Sequence, residues 1–325
     1  MRHRHLLAAT VALAFLELLL AAAPVSAAFR RERKLALAPG GELLVDAAGG
    51  GVTVTGGATG GATVVITSTR DDIEQRYSFE VTSEPGRVKV ISRRRPGWSQ
   101  WFSWNSNGNL HFDVRVPRET RVDLKSSGGG IRASDLKGNA RVRSSGGGLR
   151  IAGIVGDLDA GSSGGGVEVK QVRGDVRVSS SGGGVDVMQV TGNVAAESSG
   201  GGVDVAEVSG NVDASSSGGG VHVDGVGGRV TADSSGGSVS AVLTEGNAAG
   251  GSLSSSGGGV SVTLGRDTRL SIDAYSSCGS VRCDLPVRPL GKQTRTTLRG
   301  DLNGGGSVLK LRSSGGGINI DAMGG

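Results

Sequence analysis

Short runs of alternating apolar and polar residues recur at a fixed interval through the centre of the chain. Each run follows a Ser-Ser pair and one or more glycines, and the first seven of these pairs lie 18 residues apart. The copies begin at Ser126, Ser144, Ser162, Ser180, Ser198, Ser216 and Ser234, and then at Ser255, Ser276 and Ser313. The copy from Ser198 to Ser215 reads SSGGGVDVAEVSGNVDAS, and its residues define positions 1 to 18. Such self-similarity indicates a solenoid.

Each copy contains two segments with the period of a β-strand. Positions 6 and 8 are mostly apolar and flank a polar position 7, and positions 15 and 17 repeat the apolar pattern. In the template copy these residues are Val203, Val205, Val212 and Ala214. A period of two predicts strands with one buried face, and the glycines at positions 3 to 5 and 13 suit tight corners. The sequence therefore predicts an all-β, right-handed parallel β-solenoid with two short strands per coil of about 18 residues.

The N-terminal third departs from this pattern. Residues 1–27 have a basic start, an apolar stretch and Val25-Ser26-Ala27, which together are typical of a cleaved signal peptide. We therefore expect export to the periplasm, the outer surface or the medium. Residues 28–120 contain β-branched alternating runs over 62–69, 77–82, 87–92 and 110–117. We interpret them as a β-rich cap that protects the solenoid's end, and residues 121–325 as the solenoid.

Composition and charge narrow the function classes. The chain has 60 glycines but only 10 aromatic residues among 325, and its net charge is +5. Residues 28–150 contain 20 Lys and Arg against 12 Asp and Glu, whereas residues 151–325 contain 13 against 17. This gradient can orient the protein toward an anionic envelope surface. It is not the concentrated basic patch of a nucleic-acid-binding protein, so we expect no nucleic-acid partner.

The repeats contain little that indicates a catalytic, metal-binding or phosphate-binding site. Position 7 carries Glu168, Asp186 and Asp204 in successive copies, but Arg, His and Ser fill the same position elsewhere, so a calcium ladder is not expected. Asp204, His222 and Ser240 share this exposed position, which lacks the pocket of a catalytic triad. The glycine runs precede strands instead of the helix of a phosphate loop. We predict no catalytic residue, no metal site and no cofactor.

Two local features remain as candidates. All three tryptophans fall within seven residues and follow an arginine run, and we predict a ligand-binding site of Arg93, Arg94, Arg95, Trp98, Trp101, Phe102 and Trp104. Aromatic faces with arginine suit sugars, anionic polymers or membrane interfaces, although the tryptophans could equally cap the solenoid. Cys278 and Cys283 are the only cysteines. In an oxidising compartment they could form a disulfide, but spacing alone does not fix the geometry.

The leader, the GGGVTVTG and LHFDVRVP segments, the repeated SSGGG strands and the closing SSGGGINI resemble the bacterial putative adhesin family of β-strand-repeat proteins. The resemblance implies an exported β-solenoid and supplies no catalytic residues. We therefore expect a non-enzymatic envelope or surface binding scaffold, with an envelope polysaccharide or a surface protein as candidate partners. The alternatives are a β-helix enzyme that acts on polysaccharide and an envelope structural protein that self-associates end to end.

Overall fold

The structure is a computed structural model that describes residues 27–96 and 109–323. The N-terminal strands are β1 (Phe29–Leu35), β2 (Glu42–Ala47), β3 (Gly51–Gly56), β4 (Ala62–Ser68), β5 (Tyr77–Glu84), β6 (Arg87–Arg94) and β7 (His111–Val116), with one short helix, α1 (Ile73–Arg76).

The repeats form β8 (Arg121–Ser126), β9 (Ile131–Lys137), β10 (Ala140–Ser144), β11 (Leu149–Val155), β12 (Leu158–Ser162), β13 (Val167–Arg173), β14 (Val176–Ser180), β15 (Val185–Thr191), β16 (Val194–Ser198), β17 (Val203–Val208), β18 (Val212–Ser216), β19 (Val221–Val226), β20 (Val230–Ser234), β21 (Val239–Leu243), β22 (Gly251–Ser255) and β23 (Val260–Leu264). The C-terminal strands are β24 (Leu270–Ser276), β25 (Val281–Cys283), β26 (Val287–Pro289), β27 (Thr297–Leu302), β28 (Ser307–Ser313) and β29 (Ile318–Ala322).

These strands form two sheets that face each other across one core. The first sheet has 14 strands and contains positions 6 to 12 of each coil, and the second has 15 strands and contains positions 15 to 18 and position 1 of the next copy. Through the repeats every strand pairs in parallel with its equivalents in the neighbouring coils, so that Val185 lies beside Val203 and Val194 beside Val212. The predicted all-β solenoid with two parallel strands per coil is confirmed.

The core contains one column of side chains that the alternating pattern does not predict. Positions 6, 8, 15 and 17 are buried as expected, but position 11 is buried as well, as Val190 and Val208 show. The backbone at position 10 explains the burial of position 11, because the position-10 residues Gln189 and Glu207 have φ values of 59° and 55°. A residue in the left-handed region bends the strand and changes which side the following residue faces.

The N-terminal end of the core is closed by aromatic residues and antiparallel strands. Phe79 stacks with Tyr77 and Phe29 at centroid distances of 6.3 and 6.0 Å and meets Phe112 edge-on at 6.1 Å. The outermost strands here are β1 and β5, which pair antiparallel with β4 and β6. The β1 sequence is FRRERKL, and charged edge strands of this kind oppose edge-to-edge association.

Coils do not stack in chain order at either end. The coil of β2 and β3 lies between the strands β6 and β7 on one side and β8 and β9 on the other. At the opposite end the last coil, β28 and β29, lies between β22 and β23 on one side and β24 and β25 on the other. Each end is therefore locked by a coil inserted between two others. Within the described residues, no helix is long and apolar enough to cross a membrane.

Candidate functional site: an axial groove on the second sheet

A groove runs along the outer face of the second sheet, parallel to the solenoid axis. It has a volume of about 920 Å³ and is lined by positions 14 to 16 of eight adjacent coils, from Glu42 on β2 to Thr231 on β20. At a strand spacing of about 4.8 Å it spans roughly 34 Å. We call it the axial groove. Its length and its regular repeat from coil to coil follow from the exact register of the repeats.

The backbone N–H and carbonyl groups of the groove floor already form hydrogen bonds between neighbouring coils. At position 15 the backbone N–H of each coil donates to the position-14 carbonyl of the next coil, as from Ala140 to Asp157 and from Val176 to Asn193 at 2.9 and 2.8 Å. A second peptide strand laid on this face would therefore find its backbone partners taken. Recognition in the groove must use side chains.

Position 14 forms a ladder of Asn and Asp side chains that orders one wall of the groove. The Oδ1 atom of Asp175 accepts the backbone N–H of Asn193 at 2.8 Å, and Asn193 Oδ1 accepts that of Asn211 at 2.9 Å. The same bond joins Asn139 to Asp157, Asp157 to Asp175 and Asn211 to Arg229. Each of these side chains uses one oxygen as the acceptor of a ladder hydrogen bond. Among the described residues, no hydrogen bond engages Oδ2 of Asp157 or Asp175 or Nδ2 of Asn139 or Asn211.

Both signs of charge alternate along the other wall. Position 16 carries Asp123, Arg141, Asp159, Arg177 and Asp213 on successive or nearby coils. Asp159 is bonded to Arg143 at 2.6 Å and lies 3.5 Å from Arg141. Within the part of the chain that the structure describes, no ion pair engages the exposed side chains of Arg177 and Asp213.

One carboxylate oxygen of the groove lacks a partner. Asp123 Oδ1 is shielded from solvent and accepts no hydrogen bond from the described residues, while its other oxygen, Oδ2, lies 3.6 Å from Lys125 Nζ. Buried acceptors normally have a donor. Because Oδ1 is shielded from solvent, it is not an acceptor that a ligand in the groove can reach directly.

A second, smaller groove of about 540 Å³ lies on the first sheet over the position-5 glycines. His111 stands at one end of it, half-buried and 3.1 Å from Thr53 Oγ1, and burial lowers the pKa of His111. Arg150 on its wall is bonded to Glu168 at 3.1 Å. This groove spans fewer coils, and its floor carries no side chains where glycine occupies position 5.

The predicted arginine and tryptophan site divides between described and undescribed residues. Arg93 is bonded to Asp46 at 2.8 Å, and Arg94 Nη2 donates to the Tyr77 hydroxyl at 3.3 Å with its guanidinium 5.9 Å from that ring. These two arginines thus contribute to the N-terminal end of the solenoid. Arg95 is exposed, and its backbone N–H donates to the carbonyl of Arg76. The other predicted residues lie outside the described part of the chain: Trp98, Trp101, Phe102 and Trp104.

The position-7 column has its own contacts. Lys170 Nζ and Arg150 Nε both bind the Glu168 carboxylate, at 2.7 and 3.1 Å, and lower its pKa. Burial raises the pKa of Asp186. His222 Nδ1 lies 2.7 Å from Ser240 Oγ on the exposed face. Within residues 27–96 and 109–323, no group of three or more His, Cys, Asp or Glu residues is arranged to hold a metal ion.

The two cysteines are free thiols in this structure, and the disulfide considered from the sequence stays a prediction for an oxidising compartment. Cys278 is exposed at a corner, and Cys283 is half-buried on β25. Burial is the main cause that raises the pKa of the Cys283 thiol.

Sequence analysis did not identify the axial groove. The available signal was the recurrence of Asn, Asp or Arg at position 14, seen at Asn139, Asp157, Asp175, Asn193, Asn211 and Arg229. Taken one copy at a time, these residues are typical of a solvent-exposed turn. Only the stacking of the coils makes them one wall.

Comparison with known proteins identifies the family. The model of the Toastrack family, a domain family designated DUF4097, matches residues 42–321, and the chain belongs to this family. The expected resemblance to bacterial adhesin-like repeat proteins is confirmed. No curated protein matches the chain.

Several solved structures are similar to the chain at low identity. A putative cell adhesion protein from Clostridium sporogenes is 11% identical, with a TM-score of 0.26 over 91% of this chain and 99% of that one. A putative adhesin from Bacteroides fragilis is 12% identical, with a TM-score of 0.31 over 90% and 96%. A putative lipid binding protein from Parabacteroides distasonis is also 12% identical, with a TM-score of 0.36 over 90% and 96%.

Proposed function

We propose that the protein is an exported, non-enzymatic scaffold of the cell envelope or surface that binds an extended polymer in its axial groove. The observation that carries this proposal is the groove itself, in which polar side chains recur coil by coil across eight coils. A rigid surface with periodic contacts suits a periodic ligand, because little ordering entropy is lost by the protein on binding. The leader-like residues 1–27 support export.

The test combines localisation with a blocking substitution. Ala195 lies at position 16 inside the groove, between Arg177 and Asp213, so Ala195→Arg places a long side chain in the path of a polymer. We expect cell fractionation to find the protein outside the cytoplasm, and purified envelope to retain the native protein but not Ala195→Arg. Equal retention of the two proteins, with equal melting temperatures, would contradict the proposal.

A polysaccharide-cleaving enzyme is the alternative that the groove carboxylates raise. A general acid usually needs burial that raises its pKa, but Asp157 and Asp175 are exposed and Asp159 is bonded to Arg143. We therefore expect binding without turnover. Incubation with envelope polysaccharide should release no new reducing ends or unsaturated sugars, and release that Asp175→Asn abolishes would favour the enzyme.

Self-assembly through the solenoid ends is the other alternative. The charged edge strand β1 opposes it at one end, so we expect a monomer. Light scattering across a wide concentration range should give a constant mass, and growth with concentration would favour a structural polymer.

The tryptophan segment remains a second predicted binding site. Trp98→Ala with Trp101→Ala separates its two roles. Loss of envelope binding with an unchanged melting curve favours recognition, whereas loss of the folded state favours a cap.

A further inference from the structure

We infer that the polymer in the axial groove is a neutral, extended β-1,4-linked hexose chain that lies along the solenoid axis with about one sugar per coil. This inference rests on the proposed function, because it names the ligand class of the same groove. Three features of the groove carry it: the spacing of its coils, the occupied main chain of its floor and the mixed charge of its walls.

The spacing of the coils selects the kind of polymer. Equivalent side chains on adjacent coils repeat about every 4.8 Å, and an extended β-1,4-linked hexose chain advances by nearly the same distance per sugar. An extended peptide advances by about 3.4 Å per residue and falls out of phase within a few coils. The groove is also continuous over eight coils, so it suits an extended chain and not a coiled α-linked glycan.

The occupied floor separately excludes a peptide that adds as a strand. The backbone N–H groups of Val122, Leu158 and Val194 already donate to the neighbouring coil at 3.1, 2.9 and 2.8 Å. A ligand must therefore exchange hydrogen bonds with side chains. Sugar hydroxyls suit this role, because each can both donate and accept.

The mixed charge of the walls selects a neutral chain. A polyanion would meet Asp157, Asp175 and Asp213, and a polycation would meet Arg121, Arg177 and Arg229. A chain of hydroxyl groups can instead donate to Oδ2 of Asp157 and Asp175. It can accept from the guanidinium of Arg177 and from the amides of Asn139 and Asn211. Hydroxyl groups can therefore pair with the exposed acceptors and with the exposed donors of the groove.

The test uses a length series of neutral β-1,4-linked manno-oligosaccharides from two to ten sugars, with binding measured by calorimetry. The groove spans eight coils, so we expect affinity to rise with each sugar and to level off at about eight. Arg177→Ala and Asp213→Ala remove exposed groups that hold no described contact, and each should weaken the longest oligosaccharide about five- to tenfold. Affinity should hardly change with salt, because the ligand is uncharged.

A substitution that obstructs the middle of the groove should shorten the longest oligosaccharide that the groove can bind. Ala195 on β16 leaves five coils of the groove on the β2 side, so Ala195→Arg should move the plateau from about eight sugars to about five. The matched controls lie on the opposite sheet, where Asp204 and Ser261 also point outward at position 7. Asp204→Ala and Ser261→Arg should leave the whole length series unchanged.

Several outcomes would overturn the inference. Oligo-mannuronate has the same type of linkage but carries a carboxylate on every sugar. Tighter binding of oligo-mannuronate that falls with salt would assign an acidic ligand instead. Affinity independent of length, or equal effects of Asp204→Ala and Asp213→Ala, would also overturn it.

Failure of the inference and failure of the proposed function give different results. If no neutral oligosaccharide binds but envelope still retains the native protein and loses Ala195→Arg, the groove binds a polymer of another class. If envelope retains both proteins equally, the groove is not the binding site.

Discussion

Ser198 Oγ donates a hydrogen bond to the carbonyl oxygen of Gly183 in the preceding coil at 2.9 Å, and Ser198 Oγ also accepts the backbone N–H of Gly201 at 3.0 Å. The side chain of Ser198 is buried. The pattern recurs at position 1 of the neighbouring copies, as at Ser180 and Ser216. The first serine of each pair thus links two coils by hydrogen bonds at the corner. The second serine, such as Ser199, is exposed.

The serine pair provides a test with its own control. Ser198→Ala removes the hydroxyl and leaves the carbonyl of Gly183 and the N–H of Gly201, both of half-buried residues, without this partner, which should lower the free energy of unfolding by about 1–3 kcal/mol. Ser199→Ala alters an exposed side chain and should change it by less than about 0.5 kcal/mol. Urea denaturation followed by circular dichroism measures both variants. Equal effects would show that the buried hydroxyl is dispensable.

Glycine at position 4 is required by the distance between coils. A Cβ atom on Gly201 would lie 2.4 Å from the backbone nitrogen of Gly184 and 2.6 Å from its Cα. Backbone atoms cannot move aside as a flexible side chain can, so Gly201→Ala should destabilise the protein by at least about 1–3 kcal/mol.

Gly60→Ala is the matched control for Gly201→Ala, because a Cβ there meets nothing within 4 Å. Thermal unfolding should show a clear drop in melting temperature for Gly201→Ala and almost none for Gly60→Ala. A native-like melting temperature for Gly201→Ala would mean that the coils can separate locally without loss of stability.

The repeats made much of the fold predictable, and the exceptions have physical causes. The inward columns follow from strict alternation, as at Val203 and Val205. The burial of position 11 does not follow from alternation, because Glu207 at position 10 adopts a left-handed backbone conformation that is not predictable from its residue type. The stacking order near the C-terminus could not be predicted either, since the Ser255, Ser276 and Ser313 copies look equivalent in sequence while the last lies between the other two.

The candidate site was harder to predict than the fold for a related reason. The groove depends on side chains that are far apart in sequence and adjacent only across coils, such as Asp157 and Asp175. In a single copy each of these residues is an ordinary polar turn residue. The tryptophan segment stands out in the sequence because its composition is unusual, whereas the groove residues become a distinct surface only when the coils stack.

His111 is expected to make stability depend on pH. Burial is the main cause of its lowered pKa, and Asp113 partly opposes the shift. A histidine whose pKa is depressed in the folded state contributes stability above its unfolded pKa of about 6.5, and that stability is lost as the pH falls through the folded value. His111→Gln should therefore flatten the decline of melting temperature below about pH 6.5. His222→Gln removes the only other histidine downstream of residue 27 and serves as the control, and identical slopes in the two variants would contradict the assignment.

The inserted C-terminal coil makes a prediction about which part of the protein unfolds first. Terminal segments of a repeat protein normally fray, but β28 and β29 each have a parallel partner on both sides. We expect their amides to exchange with deuterium as slowly as those of the central coils, and more slowly than the amides of β25 and β26.

Deleting residues 304–325 should also remove the protection of β24 to β27, because those strands would lose the coil that joins them to β22 and β23. The control is deletion of β1, an edge strand whose one partner among the described strands is β4, which should leave protection in the repeats unchanged. Fast exchange of β28 and β29 in the intact protein would contradict the inserted position of the last coil.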